Sequence, residues 1–282
     1  MNTKKMGLVG NGISKSRMPL YQEYLGQLTG IPVSYELIDG DGIEGFDAID
    51  EIEKRRNDGY EAVGVTHPYK QAVYGYASPP LEERFGHIGS YNLVRFQGDK
   101  PRGANTDYTG FMLGCQHRLQ GEKPGSIVQA GAGGVGRAVA FGLAELGATR
   151  IQIYDTNEQQ SADLVGSLKG YGYDAEALSD EQFEEAVVAA DGLINCTPLG
   201  MHAYPGMAFP AQLVGSQKWI FEAVYTPLET EFLKLCRTKG LTCMSGYDLW
   251  VFQGLDVFQI VTGVKVEPTD ELMAETFSWV AG

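Results

Sequence analysis

The 282-residue chain, 43% hydrophobic, is long enough for two separately cored globular domains, and its composition excludes an extended disordered protein. Its 36 acidic against 22 basic residues leave a net charge of −14, which repels nucleic acid and anionic membranes; neither is expected as a partner, and an anionic ligand must be caught by local cations and helix ends. No apolar run reaches the length of a signal core or a membrane span, so a soluble, cytoplasmic protein is expected.

Strand-like runs over 6–10, 33–38 and 62–65 alternate with helical spacing over 18–29 and 43–57. That alternation argues for an α/β layer with a mainly parallel sheet. From 79 to 102 the pattern breaks into short strands, one around His87-Ile88-Gly89 and one over 93–96, with a further edge over 101–105. Asp107 begins a helix whose apolar positions Tyr108, Phe111, Met112, Cys115 and Leu119 fall at helical spacing, with Thr106 or Asp107 as N-cap. A second β-α series follows, with strands over 126–130, 150–154, 192–195, 219–223 and 241–244 and helices over 135–146, 158–169, 181–190 and 228–239. Gly246 opens a helix to about residue 262, and a last helix spans 270–280. Cys115, Cys196, Cys236 and Cys243 sit singly with no C-x-x-C, which points to buried thiols. His67, His87, His117 and His202 lack the spacing of ligands, so no metal is expected.

At the end of the strand over 126–130 the chain reads Gly131-Ala132-Gly133-Gly134-Val135-Gly136, a G-x-G-x-x-G turn between strand and helix. Gly131 allows the tight turn, Gly133 lets backbone N–H groups approach a pyrophosphate, and Gly136 lets helix and strand pack closely. The next strand ends at Asp155, where a dinucleotide fold holds the adenosine ribose hydroxyls.

Several blocks resemble the shikimate and quinate dehydrogenases of aromatic amino-acid and quinate metabolism. They are Gly64-Val65-Thr66-His67-Pro68-Tyr69-Lys70, Gly103-Ala104-Asn105-Thr106-Asp107, the glycine turn, Asn195-Cys196-Thr197-Pro198-Leu199-Gly200-Met201, Tyr225-Thr226-Pro227-Leu228-Glu229-Thr230, and the run from Gly246 to Gln253. Their order covers nearly the whole chain. On residue type alone Lys70 reads as a solvated lysine and Asp107 as an N-cap; the resemblance implies that they are the catalytic pair. Oxidation of a secondary alcohol by hydride transfer needs an acid/base at the hydroxyl, and a lysine with an aspartate partner supplies it. The resemblance further implies that a cyclic polyol carboxylate contacts Ser16, Thr66, Asn92, Asn105, Tyr225 and Gln253. It also implies cofactor contacts at Gly131, Ala132, Gly133, Gly134, Val135, Asp155, Thr197, Leu199, Met201 and Gly246.

The chain departs from the family pattern in three places. Ser16-Arg17-Met18-Pro19 carries methionine where a second hydroxyl is usual, with Arg17 or Lys15 available to compensate. Gly64 replaces an asparagine, and Gly89-Ser90-Tyr91-Asn92-Leu93 keeps only the glycine and asparagine of its block. NADP-using members carry an N-R-[ST] run after the second strand, whereas Tyr154-Asp155-Thr156-Asn157 places a carboxylate that repels a 2′-phosphate, so NAD is expected.

The expected protein is a two-domain α/β enzyme, monomer or homodimer. Residues 1–106 and 246–282 form the substrate domain, to which the C-terminal helices return, and 107–245 form a Rossmann-type NAD-binding domain. The expected reaction is reversible NAD-dependent oxidation of a ring hydroxyl of shikimate, or of quinate. A dehydrogenase of an amino-substituted shikimate analogue and a non-catalytic sensor of polyol acid and NAD are the alternatives.

Overall fold

In the computed structural model, which describes residues 2–281, the chain divides into two compact units, Met1–Thr106 with Gln253–Gly282, and Asp107–Phe252. Among the described residues no helix is long and apolar enough to cross a membrane.

The first unit contains β1 (Lys4–Gly10), α1 (Met18–Thr29), β2 (Val33–Asp39), α2 (Ala48–Asn57), β3 (Ala62–Val65), α3 (Ala72–Tyr76), β4 (Leu93–Gln97) and β5 (Lys100–Ala104). Its sheet runs β2-β1-β3-β4-β5, with β1 parallel to β2 and β3, and β4 and β5 antiparallel additions. β3 is buried along its whole length, as its unbroken apolar run requires. α1 starts on Pro19 in its first turn and stops at Gly30, whose φ of 70° lets its N–H return to the Gln27 carbonyl.

Two local expectations for this unit are corrected, and one element not foreseen is added. α2 begins at Ala48 rather than at residue 43, because Asp47 caps the N–H groups of Ile49 and Asp50 and the preceding Gly42 and Gly45 hold φ of 71° and 73°. The segment around His87 is no strand: Glu83–His87 forms a 3-10 turn that buries Phe85. α3 escapes the periodicity altogether, being a single short turn of helix after the His67-Pro68-Tyr69-Lys70 run.

The second unit holds α4 (Thr106–Leu119), β6 (Ser126–Ala130), α5 (Gly134–Glu145), β7 (Arg150–Tyr154), α6 (Glu158–Gly170), β8 (Ala175–Ala177), α7 (Asp180–Ala189), β9 (Gly192–Asn195), β10 (Trp219–Glu222), α8 (Glu231–Thr238) and β11 (Thr242–Ser245). Its six strands are all parallel in the order β11-β10-β9-β6-β7-β8, two β-α-β halves wound outward from the β6/β9 boundary. Inside it, Phe183, Phe209 and Phe232 pack ring to ring at 5.8 and 5.3 Å. β8 is too short for period-2 alternation to announce it, and α8 starts at Glu231 rather than at 228, where Thr230 caps the Leu233 N–H.

α9 (Gly246–Thr262) and α10 (Asp270–Ala281) complete the chain. The units divide within α9, at Phe252 and Gln253, whereas the sequence alone suggests a boundary at Gly246. In the second unit, Asp248 near the start of α9 is 1% exposed and accepts from Arg118 of α4 at 2.6 Å and from the Ser245 N–H at 2.7 Å. In the first, α10 meets α1 through Trp279, edge-on to Tyr24 at 5.1 Å.

Candidate active site

In the first unit β1 and β3 are neighbours in the sheet, so the chain reverses its direction of travel between them. Loops leaving the carboxyl ends of strands at such a switch point are where α/β folds bind ligands. Here those loops carry Ser16, Thr66 and Lys70, and they are closely packed. A Cβ on Gly10 would overlap Thr66 Cγ2, the Asn11 N–H donates to the His67 carbonyl at 3.0 Å, and the Tyr69 hydroxyl donates to Asn11 Oδ1 at 2.7 Å.

Asp39, at the end of β2, organises the loop before Ser16. Its Oδ1 accepts the N–H groups of Gly12 at 2.9 Å and Asp41 at 3.1 Å, and its Oδ2 those of Ile13 at 3.0 Å and Ser14 at 3.1 Å. The Asp41 N–H, then those of Gly12, Ile13 and Ser14, hold its carboxyl below the usual aspartate range against a push from burial. Ser16 follows with its N–H on the Ile13 carbonyl at 2.8 Å and its Oγ accepting the Met18 N–H at 3.3 Å. Sequence reasoning misses Asp39, since a lone acid at a strand end carries no local signal.

Asn92 and Asn105 are both buried. Asn92 Oδ1 accepts the Thr106 N–H at 2.6 Å, and Asn105 Nδ2 donates to the Ser90 carbonyl at 3.0 Å. The Lys70 carbonyl accepts the Tyr91 N–H at 3.0 Å, which ties its backbone to the segment that leads through Asn92 into β4. Thr66 lies just past β3 with its N–H on the Val9 carbonyl, and Gln253 is half-buried on α9. Ser16, Thr66, Lys70, Asn92, Asn105 and Gln253 therefore fall in the first unit, while Asp107, in the first turn of α4, and the half-exposed Tyr225 fall in the second.

The departures from the family pattern have local structural partners. Met18 is buried, and its sulfur lies 3.6 Å from Gln22 Nε2, which also donates to the Gly254 carbonyl at 2.8 Å. A side chain at Gly64 would come within 3.2 Å of Leu8 Cδ1 and 3.3 Å of the Tyr35 hydroxyl, so the space of the usual asparagine is filled by Tyr35 and Leu8. The Tyr91 ring lies against Gly103, where any Cβ would overlap it, and stands 4.9 Å from the Tyr74 ring.

In the second unit the switch point lies between β6 and β9, and the glycine turn leaves the end of β6. Gly131 holds φ of 97°, and a Cβ there would stand 2.6 Å from the Cys196 carbonyl carbon, so this loop and the one after β9 touch at Gly131. A Cβ on Gly136 would overlap the Gly131 carbonyl. Gly133 and Gly134 differ: both are exposed, and a Cβ on either meets nothing within 4 Å. Gly133 is the N-cap of α5 with no side-chain cap, and the first turn of the helix carries no acid. Uncapped N–H groups at a helix start under open space are what a pyrophosphate needs, so the residues present fit a dinucleotide.

Asp155 is tied to this turn. Its Oδ2 accepts the Ala132 N–H at 2.7 Å and its Oδ1 the Asn157 N–H at 2.8 Å. Beneath the turn, the buried Gln129 donates through Nε2 to the carbonyls of Gly131 at 2.8 Å and Gly136 at 2.9 Å. The loop after β9 is braced by Asn195, whose Oδ1 accepts the Thr197 N–H at 3.0 Å and hydroxyl at 2.7 Å and whose Nδ2 donates to the Leu199 carbonyl at 2.9 Å. Leu199 and Met201 stand 37% and 40% exposed at the mouth of this loop. Gly246 opens α9 where a Cβ would overlap the Ala223 carbonyl, so it is fixed as glycine by close approach.

Residues 8–94 match the family model of the shikimate dehydrogenase substrate binding domain. The chain is 36% identical to a quinate/shikimate dehydrogenase (NAD(+)) of Corynebacterium efficiens, over 96% of each chain. It is 34% identical to a shikimate dehydrogenase (NADP(+)) of Streptomyces avermitilis, over 98% of this chain and 96% of that one. Among solved structures it is similar to quinate dehydrogenase from Corynebacterium glutamicum in complex with NAD, with a TM-score of 0.89 and 34% identity over 98% of this chain and 99% of that one.

Proposed function

The chain belongs to the shikimate/quinate dehydrogenase family, and we propose that it oxidises a ring hydroxyl of shikimate or quinate reversibly to the 3-dehydro ketone, with NAD as its cofactor. The carrying observation is the Asp155 carboxylate tied to the Ala132 N–H at 2.7 Å, which sets a negative charge beside the turn that would hold the dinucleotide. A free ribose diol donates hydrogen bonds to that carboxylate, whereas a 2′-phosphate is repelled by it.

When bound at Gly133 and Gly134, the nicotinamide cofactor supplies the hydride acceptor. The protein supplies the rest. Lys70 takes up the hydroxyl proton at Nζ and returns it in the reverse direction, and Asp107 is the carboxylate that tunes it. Ser16, Thr66, Asn92, Asn105, Tyr225 and Gln253 read the hydroxyls and the carboxylate of the ring, with hydroxyls and amides that donate and accept. Leu199 and Met201 cover the cofactor against water, and Gly246 gives it room.

The test is a panel of shikimate, quinate and an amino-substituted shikimate, each with NAD⁺ and NADP⁺. The analogue belongs in it because Met18, whose sulfur faces Gln22, brings no hydroxyl to the position where one is usual. The highest kcat/KM is expected for shikimate or quinate with NAD⁺. Preference for NADP⁺ would overturn the reading of Asp155, and turnover of the analogue alone would overturn the substrate.

A further inference from the structure

Glu222 ends β10 with its side chain fully buried, and the reaction above gives it no part. Its Oε1 accepts Asn195 Nδ2 at 2.8 Å and the Val224 N–H at 3.0 Å, and its Oε2 lies 3.0 Å from Thr230 Oγ1. Asn195 is the residue that holds Thr197 and Leu199. Gly200, at φ of 109°, closes over the same group: a Cβ there would come within 3.4 Å of Thr230 Cβ and 3.7 Å of Glu222 Oε2. The loop from Thr197 to Met201 thus rests on one buried carboxyl.

We propose that Glu222 is the positioning residue of the loop 197–201, and that gain or loss of a proton on its carboxyl sets how firmly this loop holds a nicotinamide dinucleotide. The proposal rests on the reading above, in which Thr197, Leu199 and Met201 contact the cofactor.

The groups facing Glu222 are Asn195 of β9, the Val224 N–H, Thr230 at the start of α8, and the thiols of Cys196 and Cys236, both raised chiefly by burial and further by this carboxylate. Among the described residues, none of the groups acting on it is a cation. Burial therefore pushes its carboxyl up to about 7, against the pull of the Val224, Thr230 and Asn195 hydrogen bonds.

The two protonation states make different bonds. Ionised, the carboxylate accepts from every partner, and the bonds to Asn195 and Val224 are charge-assisted. Asn195 Nδ2 and the Val224 N–H can only donate, so an added proton belongs on Oε2, where the Thr230 oxygen can turn from donor to acceptor. The network survives, but the bonds on Oε1 fall to ordinary strength, about half. The loop is held most firmly above neutral pH and relaxes as pH falls through 7. Glutamine at this position reproduces the neutral state, donating to Thr230 and accepting from Asn195 and Val224, so the fold is retained.

The experiment is the Kd of NADH, read by its fluorescence from pH 6 to pH 8.5, for the wild-type protein and Glu222→Gln. Wild type is expected to bind about fivefold more weakly at pH 6 than at pH 8.5, the worth of one charge-assisted over one ordinary hydrogen bond. E222Q is expected to be flat across the range, at the wild-type value for pH 6. A wild-type profile retained in E222Q, or a flat wild-type profile, overturns the proposal while leaving the dehydrogenase reading intact. A wild type that binds neither NADH nor NADPH at any pH overturns both together.

Discussion

Asp155 Oδ2 accepts the Ala132 N–H at 2.7 Å, so the acid that ends β7 is built into the glycine turn that ends β6. In the function proposed above one carboxylate both shapes the glycine turn and selects the ribose, and its removal should show both effects. Asp155→Ala is expected to lower kcat/KM for NAD⁺ by roughly tenfold, the order of one lost charge-assisted bond. It should lower kcat/KM for NADP⁺ less, because loop support is lost while repulsion of the 2′-phosphate is relieved. Steady-state kinetics with both cofactors checks this; a uniform loss would leave Asp155 only a structural part.

The four glycines of the turn divide into two kinds. Gly131 has φ of 97° with the Cys196 carbonyl carbon 2.6 Å from its would-be Cβ, and Gly136 has no room beneath the Gly131 carbonyl. Gly133 and Gly134 face open space. Gly133→Ala should therefore melt within a degree or two of wild type yet bind NADH at least about tenfold more weakly, because the new methyl occupies the phosphate's approach. Gly131→Ala should instead lose stability, by about 1–3 kcal/mol for a left-handed alanine pressed on a neighbouring carbonyl. Thermal melts with and without NADH separate the two.

These pairings also mark how far the residue order can be read. The strands β3, β6, β7 and β9 and the helices α1 and α9 follow from apolar period, proline and glycine punctuation, all local signals. The start of α2 was within reach, since Asp47 is a cap and Gly42 and Gly45 precede it; Ile43 at helical spacing conceals it. What local order does not carry is contact across the sheet. Asp39 reaches Gly12, Glu222 reaches Asn195, and Tyr35 fills the space at Gly64 only because strand register brings them together. Glu222 and Asn195 are paired residues of adjacent parallel strands, invisible until the strand order is known.

Asp39 organises the loop that leads to Ser16, which the proposed function places against the substrate. Asp39→Asn keeps the shape but exchanges one acceptor oxygen for a donor, leaving two of the four N–H groups of Gly12, Ile13, Ser14 and Asp41 facing an amide N–H. KM for the polyol substrate should rise by about three- to tenfold through displacement of Ser16, with Kd for NADH unchanged. The pH sign follows from the lowered pKa. The ionised carboxylate stabilises the loop above the unfolded aspartate value of about 4, and this is lost as pH falls through the lower folded value. The rise in KM should therefore be present at neutral pH, and the N–H groups of residues 12–14 should exchange with solvent faster in D39N.

Glu222 gives a stability prediction of the opposite sign. Its carboxyl is raised by burial, so its contribution is fully present below the unfolded value of about 4.3 and is lost as pH rises through about 7. Glu222→Gln removes the ionisation while keeping the bonds. The variant should melt a few degrees above wild type at pH 8.5, by a smaller margin at pH 5.5 and level with it only near pH 4, as scanning calorimetry of the cofactor-free protein would show. Equal melting differences at pH 8.5 and pH 5.5 would mean that the carboxyl is already ionised in the folded protein at pH 5.5, so that burial does not raise it.

Lys70 offers the sharpest separation of chemistry from binding. Its backbone is fixed by the Tyr91 N–H on its carbonyl at 3.0 Å, a bond that alanine keeps, so Lys70→Ala should fold. The glycine turn and Asp155 belong to the other compact unit, so NADH should bind with unchanged Kd. Loss of the acid/base should nonetheless lower kcat by roughly two to four orders of magnitude. Any residual rate should rise with pH wherever hydroxide can take the proton that Nζ no longer accepts. Near-normal kcat in this variant would remove the lysine from proton transfer and leave it a contact to the ring.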